Sequence, residues 1–166
     1  SLQEELVTLL ELDKKSGTLL EVATGADVLL GVSAAGAFSK EILEALAPDS
    51  IVFAMANPNP EAMYDDMKAA GVRVAGTGRS DSPNQVNNVN VFPGVFRGAI
   101  DVHASQINDE MKIAATEALA NLIPDDELRD DYVVASAFDE RVAPAVAKAV
   151  AETAIKTGVA RKAMKA

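Results

Sequence analysis

The sequence contains no cysteine, no tryptophan and only one histidine, and aromatic residues make up 4% of it. Without cysteine the chain can form neither a disulfide framework nor a thiolate metal site, and this composition is compatible with the cytoplasm. No apolar run reaches the roughly 18 residues that a membrane-spanning helix requires, and the first residues do not follow the pattern of a signal peptide. We therefore expect a cytoplasmic protein without a membrane partner.

Positive charge is also scarce. Lysine and arginine number 15 against 25 aspartate and glutamate residues, which gives a formal net charge of −10 at pH 7. A nucleic-acid backbone attracts basic surfaces, so we expect no nucleic-acid partner. With 166 residues, 49% of them apolar, the chain is long enough to form a hydrophobic core. We therefore expect a single domain over residues 1–166.

The order of apolar patterns predicts an α/β fold. Continuous apolar runs predict strands buried on both faces at 28–32 and 51–56, and a third short strand at 72–75. Helical spacing and capping residues predict helices at 3–12, 40–47, 60–70, 94–103, 109–122 and 139–160. Strands that alternate with helices at this pitch are typical of a parallel sheet with right-handed crossovers. The last part of the chain is expected to be helical.

Three loops of this predicted sheet follow the carboxyl ends of strands. They span residues 31–36, 57–61 and 76–80. Ligands of open α/β sheets bind beyond the carboxyl ends of the strands, so the three loops should line one site.

The most informative segment is the run from Ser82 to Gly98. It places four carboxamides in front of an apolar Phe-Pro-Gly turn; they are Asn84, Gln85, Asn87 and Asn88. Carboxamides carry hydrogen-bond donors and acceptors without charge. The cluster therefore suits a small polar ligand such as a hydroxy acid or a nicotinamide. Alternatively, the four amides only tie their own loop together.

The two other loops allow functional and structural interpretations. In the turn 31–36, Ser33 stands where the dinucleotide fingerprint has its middle glycine, and Ala35 stands where a nucleophile elbow has a glycine. A tight turn that requires small residues is the alternative. In the loop 57–61, Pro58 favours an extended Asn57, whose amide would point into the cleft. An Asx-type turn is the alternative.

The run 78–98 resembles the signature of malic enzymes in its bacterial and archaeal form. In that family Gly-Arg-Ser-Asp leads into Pro-Asn-Gln-Val-Asn-Asn and then Phe-Pro-Gly, as it does here. Residues 25–36 are similar to the family's strand and glycine turn, and residues 53–61 to its Ala-Asn-Pro-x-Pro-Glu turn. The three motifs follow the family's order and cover most of residues 25–115.

This resemblance implies a partial Rossmann-like sheet with flanking helices, in which the first βαβ unit is missing. The chain would then be a fragment of a malic enzyme NAD(P)-binding domain. Such enzymes convert malate to pyruvate and CO2 while they reduce NAD or NADP. The resemblance implies substrate contacts by Asn57, Asn87 and Asn88, and cofactor contacts by Val32, Ser33 and Asn57.

The family's catalytic base, catalytic acid and acidic ligands of Mg or Mn have no counterpart in this sequence. We therefore expect that they lie outside this chain and that the isolated chain does not oxidise malate. Neither His103 nor the acidic run at 125–127 is expected to replace them. The resemblance also implies a homo-oligomer for the full-length enzyme.

Two alternatives remain open at this stage. The chain could be a stand-alone module of Rossmann-like fold that binds a small molecule or a partner without catalysis. It could also belong to an oxidoreductase of another family with a related loop. The sequence leaves open the choice between NAD and NADP and the preferred metal.

Overall fold

Three parallel strands form the sheet of this protein. The computed structural model describes residues 15–162, so the helix predicted at 3–12 lies outside the described residues. The strands are β1 (Val28–Gly31), β2 (Ile51–Ala54) and β3 (Val74–Thr77), in the order β1-β2-β3. Both neighbouring pairs are parallel. The predicted α/β class is confirmed.

Helices connect and follow the strands. They are α1 (Leu19–Ala23), α2 (Lys40–Glu44), α3 (Tyr64–Ala69), α4 (Phe92–Asp101), α5 (Asp109–Ala120) and α6 (Val142–Lys156). The helices predicted at 94–103, 109–122 and 139–160 are confirmed as α4, α5 and α6 with small changes at their ends. Asn108 caps α5 as its sequence position indicates, because its side chain accepts a hydrogen bond from Met111 N.

The predictions missed α1, although its signal is present in the sequence. Thr18 and Glu21 form a capping box, in which each side chain accepts a hydrogen bond from the backbone N–H of the other residue. This arrangement satisfies two donors at the start of a helix. The helix has only five residues, and for that reason its apolar pattern is too short to be recognised.

The predicted start of the third helix at Pro60 was wrong, since α3 begins at Tyr64. The carbonyls of Pro60 and Glu61 accept hydrogen bonds from Gly36 N and Phe38 N, both at 3.1 Å. These two carbonyls therefore bind the loop after β1 and do not take part in the first turn of a helix.

The third strand also begins later than predicted, at Val74 rather than at residue 72. Gly71 has a φ of +92°, and Val72 N donates to Met67 O at the end of α3. Residues 71 and 72 therefore belong to the turn that closes the helix.

The two faces of the sheet differ in burial. On one face Val52, Ala54 and Ala75 are fully buried in an apolar cluster that includes Leu43 and Met67 from α2 and α3. On the other face, Val28 is 51% and Leu30 is 60% exposed. The prediction that β1 is buried on both faces was wrong for the described chain, because nothing between residues 15 and 162 covers these two side chains.

A second apolar cluster joins the helices of the later half. Two glycines let α4 approach α6 closely: a Cβ at Gly98 would lie 2.4 Å from Ala147 O, and one at Gly94 would lie 2.5 Å from Val146 Cβ. Larger residues at these positions would force the two helices apart. Over residues 15–162, no helix is both long enough and apolar enough to cross a membrane.

Candidate functional site

A cleft of about 630 Å³ lies on the less covered face of the sheet, between the strand ends, the Asn-rich loop and α5. Four of the five predicted site residues line it: Val32, Asn57, Asn87 and Asn88. Ser33 follows Val32 in the same turn but does not line the cleft. The loops after the strands therefore meet at one edge of the sheet, as parallel strands require.

The lining of the cleft is uncharged. Its remaining residues are Ile51, Phe53, Met55, Val74, Gln85, Val86, Asn90, Val91, Thr116, Leu119, Ala120, Val133 and Val134. Apolar side chains thus form most of the wall, and carboxamides supply most of its polar groups. A cleft of this kind suits a small organic ligand whose polar substituents are oriented by a few hydrogen bonds.

Asn57 lies at the carboxyl end of β2 and is exposed. Its amide Nδ2 donates to Met55 O at 3.3 Å, which is a local hydrogen bond to the preceding backbone and not the Asx-type turn offered as an alternative. Its Oδ1 packs against Gly78, where a Cβ would lie 3.1 Å away. The amide therefore keeps an oxygen and one N–H available for a ligand. The Asn57–Pro58 peptide bond is cis.

The neighbours Asn87 and Asn88 differ in their contacts. Asn87 Nδ2 donates to Gly78 O at 3.0 Å, and Asn87 Oδ1 accepts from Val89 N at 3.1 Å. Its amide therefore braces the loop. Asn88 opens a short 3-10 turn (Asn88–Asn90); it is exposed, and its side chain makes no hydrogen bond to another described residue. Within residues 15–162, its donors and its acceptor therefore remain available to a ligand.

Asn84 does not belong to the ligand-facing group. It is only 4% exposed. Its Nδ2 donates to Ala75 O at 3.0 Å and to Asp130 O at 2.9 Å, and its Oδ1 accepts from Val133 N at 2.8 Å. The idea that all four carboxamides serve one ligand was therefore wrong. Asn84 holds the loop to β3 and to a segment far away in the sequence.

Ser33 contacts a buried carboxylate, that of Glu61. Ser33 N donates to Glu61 Oε1 at 2.6 Å, and Ser33 Oγ donates to the same oxygen at 3.1 Å. The other oxygen, Oε2, accepts from Ala56 N at 3.0 Å. The proton of the Ser33 hydroxyl is thus already used, so this oxygen can only accept a hydrogen bond from a ligand.

Glu61 is fully buried. Burial by itself would raise the pKa of Glu61, but hydrogen bonds from the Ser33 and Ala56 backbone and from the Ser33 hydroxyl outweigh burial and hold the pKa below its ordinary value. The carboxylate therefore stabilises the fold above the ordinary pKa of glutamate. This contribution is lost as the pH falls through the lowered value.

The sequence did not single out Asn90 or Glu61 as residues that matter for the site. Asn90 is 2% exposed, and its Nδ2 donates to Ala135 O at 2.8 Å. Its Oδ1 is buried without a hydrogen-bond partner among residues 15–162. No sequence signal separates it from the exposed amides of the same run. For Glu61 a weak signal exists, because it is a lone acid between Pro60 and Ala62.

Arg79, Arg97 and His103 do not line the cleft, and the two arginines have local partners. Arg79 Nε donates to Asp81 at 2.8 Å, and Arg97 Nε donates to Asp101 at 2.8 Å. His103 is exposed at the end of α4. Between residues 15 and 162, no three His, Asp or Glu side chains come close enough together to hold a metal ion. The described residues therefore do not fit a metal site, and we assign no chemical step to a metal.

Comparison with known proteins gives a consistent result. The malic enzyme NAD-binding domain, as a protein family, matches residues 8–155. The chain is 62% identical over 149 residues to the bifunctional malic/malolactic enzyme of Bacillus subtilis, covering 90% of this chain and 36% of that protein. It is 49% identical to the NAD-dependent malic enzyme of Geobacillus stearothermophilus, covering 96% of this chain and 33% of that protein.

A solved structure shows the same fold. The malic enzyme of Entamoeba histolytica superposes with a TM-score of 0.84 at 40% identity, over 91% of this chain and 32% of that one. The Rossmann-like α/β class is thereby confirmed. The chain spans about a third of the length of the curated relatives that it matches.

Proposed function

Because the chain belongs to the malic enzyme family through the NAD-binding domain of that family, we propose that it forms the NAD- or NADP-binding and malate-binding part of a longer malic enzyme. The observation that carries this proposal is the cleft at the strand ends, where Val32, Asn57, Asn87 and Asn88 meet. In the longer enzyme, malate is oxidised and decarboxylated to pyruvate and CO2 while the nicotinamide is reduced. The residues 1–166 would act as one domain.

The lining of the cleft supports separate positions for the nucleotide and for malate. The apolar wall with Phe53 and Leu119 would receive the flat face of the nicotinamide ring, and the carboxamides would orient its polar substituents. The free amide of Asn88 would donate to a malate carboxylate. Asn57 would face both ligands, since it lies between the strand end and the loop. Asn87 would act mainly by holding the loop that carries Asn88.

The remaining chemistry would come from other segments of the longer enzyme. The reaction needs a base for the malate hydroxyl, an acid for the enol of pyruvate, and a divalent cation. We propose that the base, the acid and the ligands of Mg or Mn lie outside these 166 residues.

We expect that the isolated chain does not oxidise malate, because it lacks these groups. The measurement is NADH or NADPH formation from malate in the presence of Mn, followed by absorbance. The proposal would be contradicted if NADH or NADPH formed faster than in a control without protein and if this activity disappeared after the protein was heated. Titration of the same chain with NAD, NADP and malate by calorimetry tests the binding role separately.

Replacing Asn57 with alanine in the full-length enzyme should weaken the use of both ligands. A lost hydrogen bond of this kind costs about 1–3 kcal/mol, which corresponds to a rise in the Michaelis constants of roughly 5-fold to 150-fold. Steady-state kinetics with malate and nucleotide varied in turn would measure it. Asn59→Ala, an exposed position outside the cleft, serves as the control. Unchanged Michaelis constants for Asn57→Ala would show that Asn57 contacts neither ligand and only stabilises its own loop.

The stand-alone module is the alternative function. It would bind a small acid or a partner at the same cleft without catalysis. The length of the natural reading frame separates the two: a frame that extends far beyond these 166 residues supports the enzyme, and one that ends with them supports the module.

A further inference from the structure

We infer that Glu61 is a positioning residue that holds the turn after β1 and the turn after β2 together, and thereby sets the relative position of Val32 and Asn57 in the cleft. The inference rests on the proposed function, because it concerns the same cleft. Glu61 does not line the cleft, so it would act only through the turns that it binds.

The contacts of Glu61 join two separate loops. One carboxylate oxygen accepts from Ser33 N and Ser33 Oγ, and the other accepts from Ala56 N. Ser33 directly follows Val32, and Ala56 directly precedes Asn57. The side chain therefore bonds to the immediate neighbours of two cleft residues.

The surroundings of Glu61 are built to admit its carboxylate. A Cβ at Gly31 would lie 2.6 Å from Glu61 Cδ and 2.8 Å from the Phe38 ring. Only a glycine at the end of β1 leaves room for this side chain. Two backbone hydrogen bonds, from Gly36 N to Pro60 O and from Phe38 N to Glu61 O, fix the same pair of loops further along.

The chemistry of the site requires a group that only accepts hydrogen bonds. An ionised carboxylate can accept at both oxygens, whereas a glutamine amide accepts at one end and donates at the other. In Glu61→Gln, one amide orientation turns Nε2 toward Ala56 N–H, and the other turns it toward Ser33 N–H. Either orientation brings two donors together, so one of the two turns must lose its partner.

The test is Glu61→Gln in the full-length enzyme, studied well below its unfolding temperature. A hydrogen bond to a charged group is among the stronger ones, so we expect the Michaelis constant for malate or for the nucleotide to rise about tenfold or more. The turnover number at saturating ligand should change much less, because Glu61 does not touch the reacting atoms. A residue that only stabilised the fold would lower the melting temperature without changing either constant.

Glu21→Gln provides a matched control. Glu21 Oε2 accepts from Thr18 N at 2.7 Å and from Thr18 Oγ1 at 2.9 Å, the same pair of donors that Ser33 offers to Glu61 Oε1, but at an exposed position outside the cleft. This variant should destabilise the short helix α1. It should leave both Michaelis constants within about twofold of wild type. Constants that are unchanged in Glu61→Gln, or raised equally in both variants, would overturn the inference.

If Glu61→Gln does not fold, Ser33→Ala decides the question. It removes one of the three hydrogen bonds and keeps the carboxylate charge paired with two backbone donors. We expect the Michaelis constants for the nucleotide and for malate both to rise about threefold or more, because the turn before Asn57 loses part of its tie to the turn after β1. A rise for the nucleotide alone would indicate a direct contact of Ser33 and would overturn the inference. An unchanged constant overturns the inference. A wild-type enzyme without malate oxidation would instead refute the proposed function, so the two failures are distinguishable.

Discussion

Replacing Asn88 with aspartate in the full-length enzyme should lower the affinity for malate about tenfold or more. The substitution keeps the size of the side chain but replaces a neutral donor by a charge that only accepts. If Asn88 faces a malate carboxylate, two like charges then meet in a cleft whose lining carries no charge. The affinity for the nucleotide without malate should change much less. Malate kinetics and a nucleotide titration on the same folded variant measure the two effects.

Two variants control for this experiment. Asn59→Asp adds the same charge at an exposed residue outside the cleft and should leave malate affinity within about twofold of wild type. Asn87→Asp replaces the amide that donates to Gly78 O, so it should lower the melting temperature and affect both ligands alike. If Asn88→Asp behaves in the same way as Asn87→Asp, Asn88 does not contact the malate carboxylate.

Replacing Asn84 with alanine should lower the free energy of unfolding by about 3 kcal/mol or more. The change leaves Ala75 O, Asp130 O and Val133 N without their partner in the interior, and an unpaired buried polar group costs about 1–3 kcal/mol. Asn84 also has a φ of +53°, a conformation that asparagine tolerates better than alanine. Urea denaturation of wild type and variant, side by side, measures the loss.

Asn84→Gly separates the two contributions to this loss. Glycine adopts the positive φ freely but carries no amide, so it should recover only the smaller, conformational part. Asn88→Ala, at an exposed position in the same loop, should change the free energy of unfolding by less than about 0.5 kcal/mol. Equal losses in Asn84→Ala and Asn88→Ala would show that the buried hydrogen bonds of Asn84 contribute little.

The helices and strands could be predicted largely from local patterns. Apolar runs located β1, β2 and β3, and Asn108 marked the start of α5. One error arose where a tertiary contact overrides a local signal. Pro60 looks like a helix start, but its carbonyl and that of Glu61 are used by the loop after β1. The chain therefore delays α3 until Tyr64.

The sequence by itself determined the parallel α/β order and the meeting of three loops at one edge, because apolar periodicity and the geometry of parallel strands act locally. Only the tertiary structure decided which amides are free. Asn84 and Asn88 are chemically identical and four positions apart, yet the partners of Asn84 include Asp130 and Val133. The pairing of Glu61 with Ser33 spans 28 residues in the same way. Hydrogen-bond partners so distant along the chain are set by packing, and no local pattern encodes them.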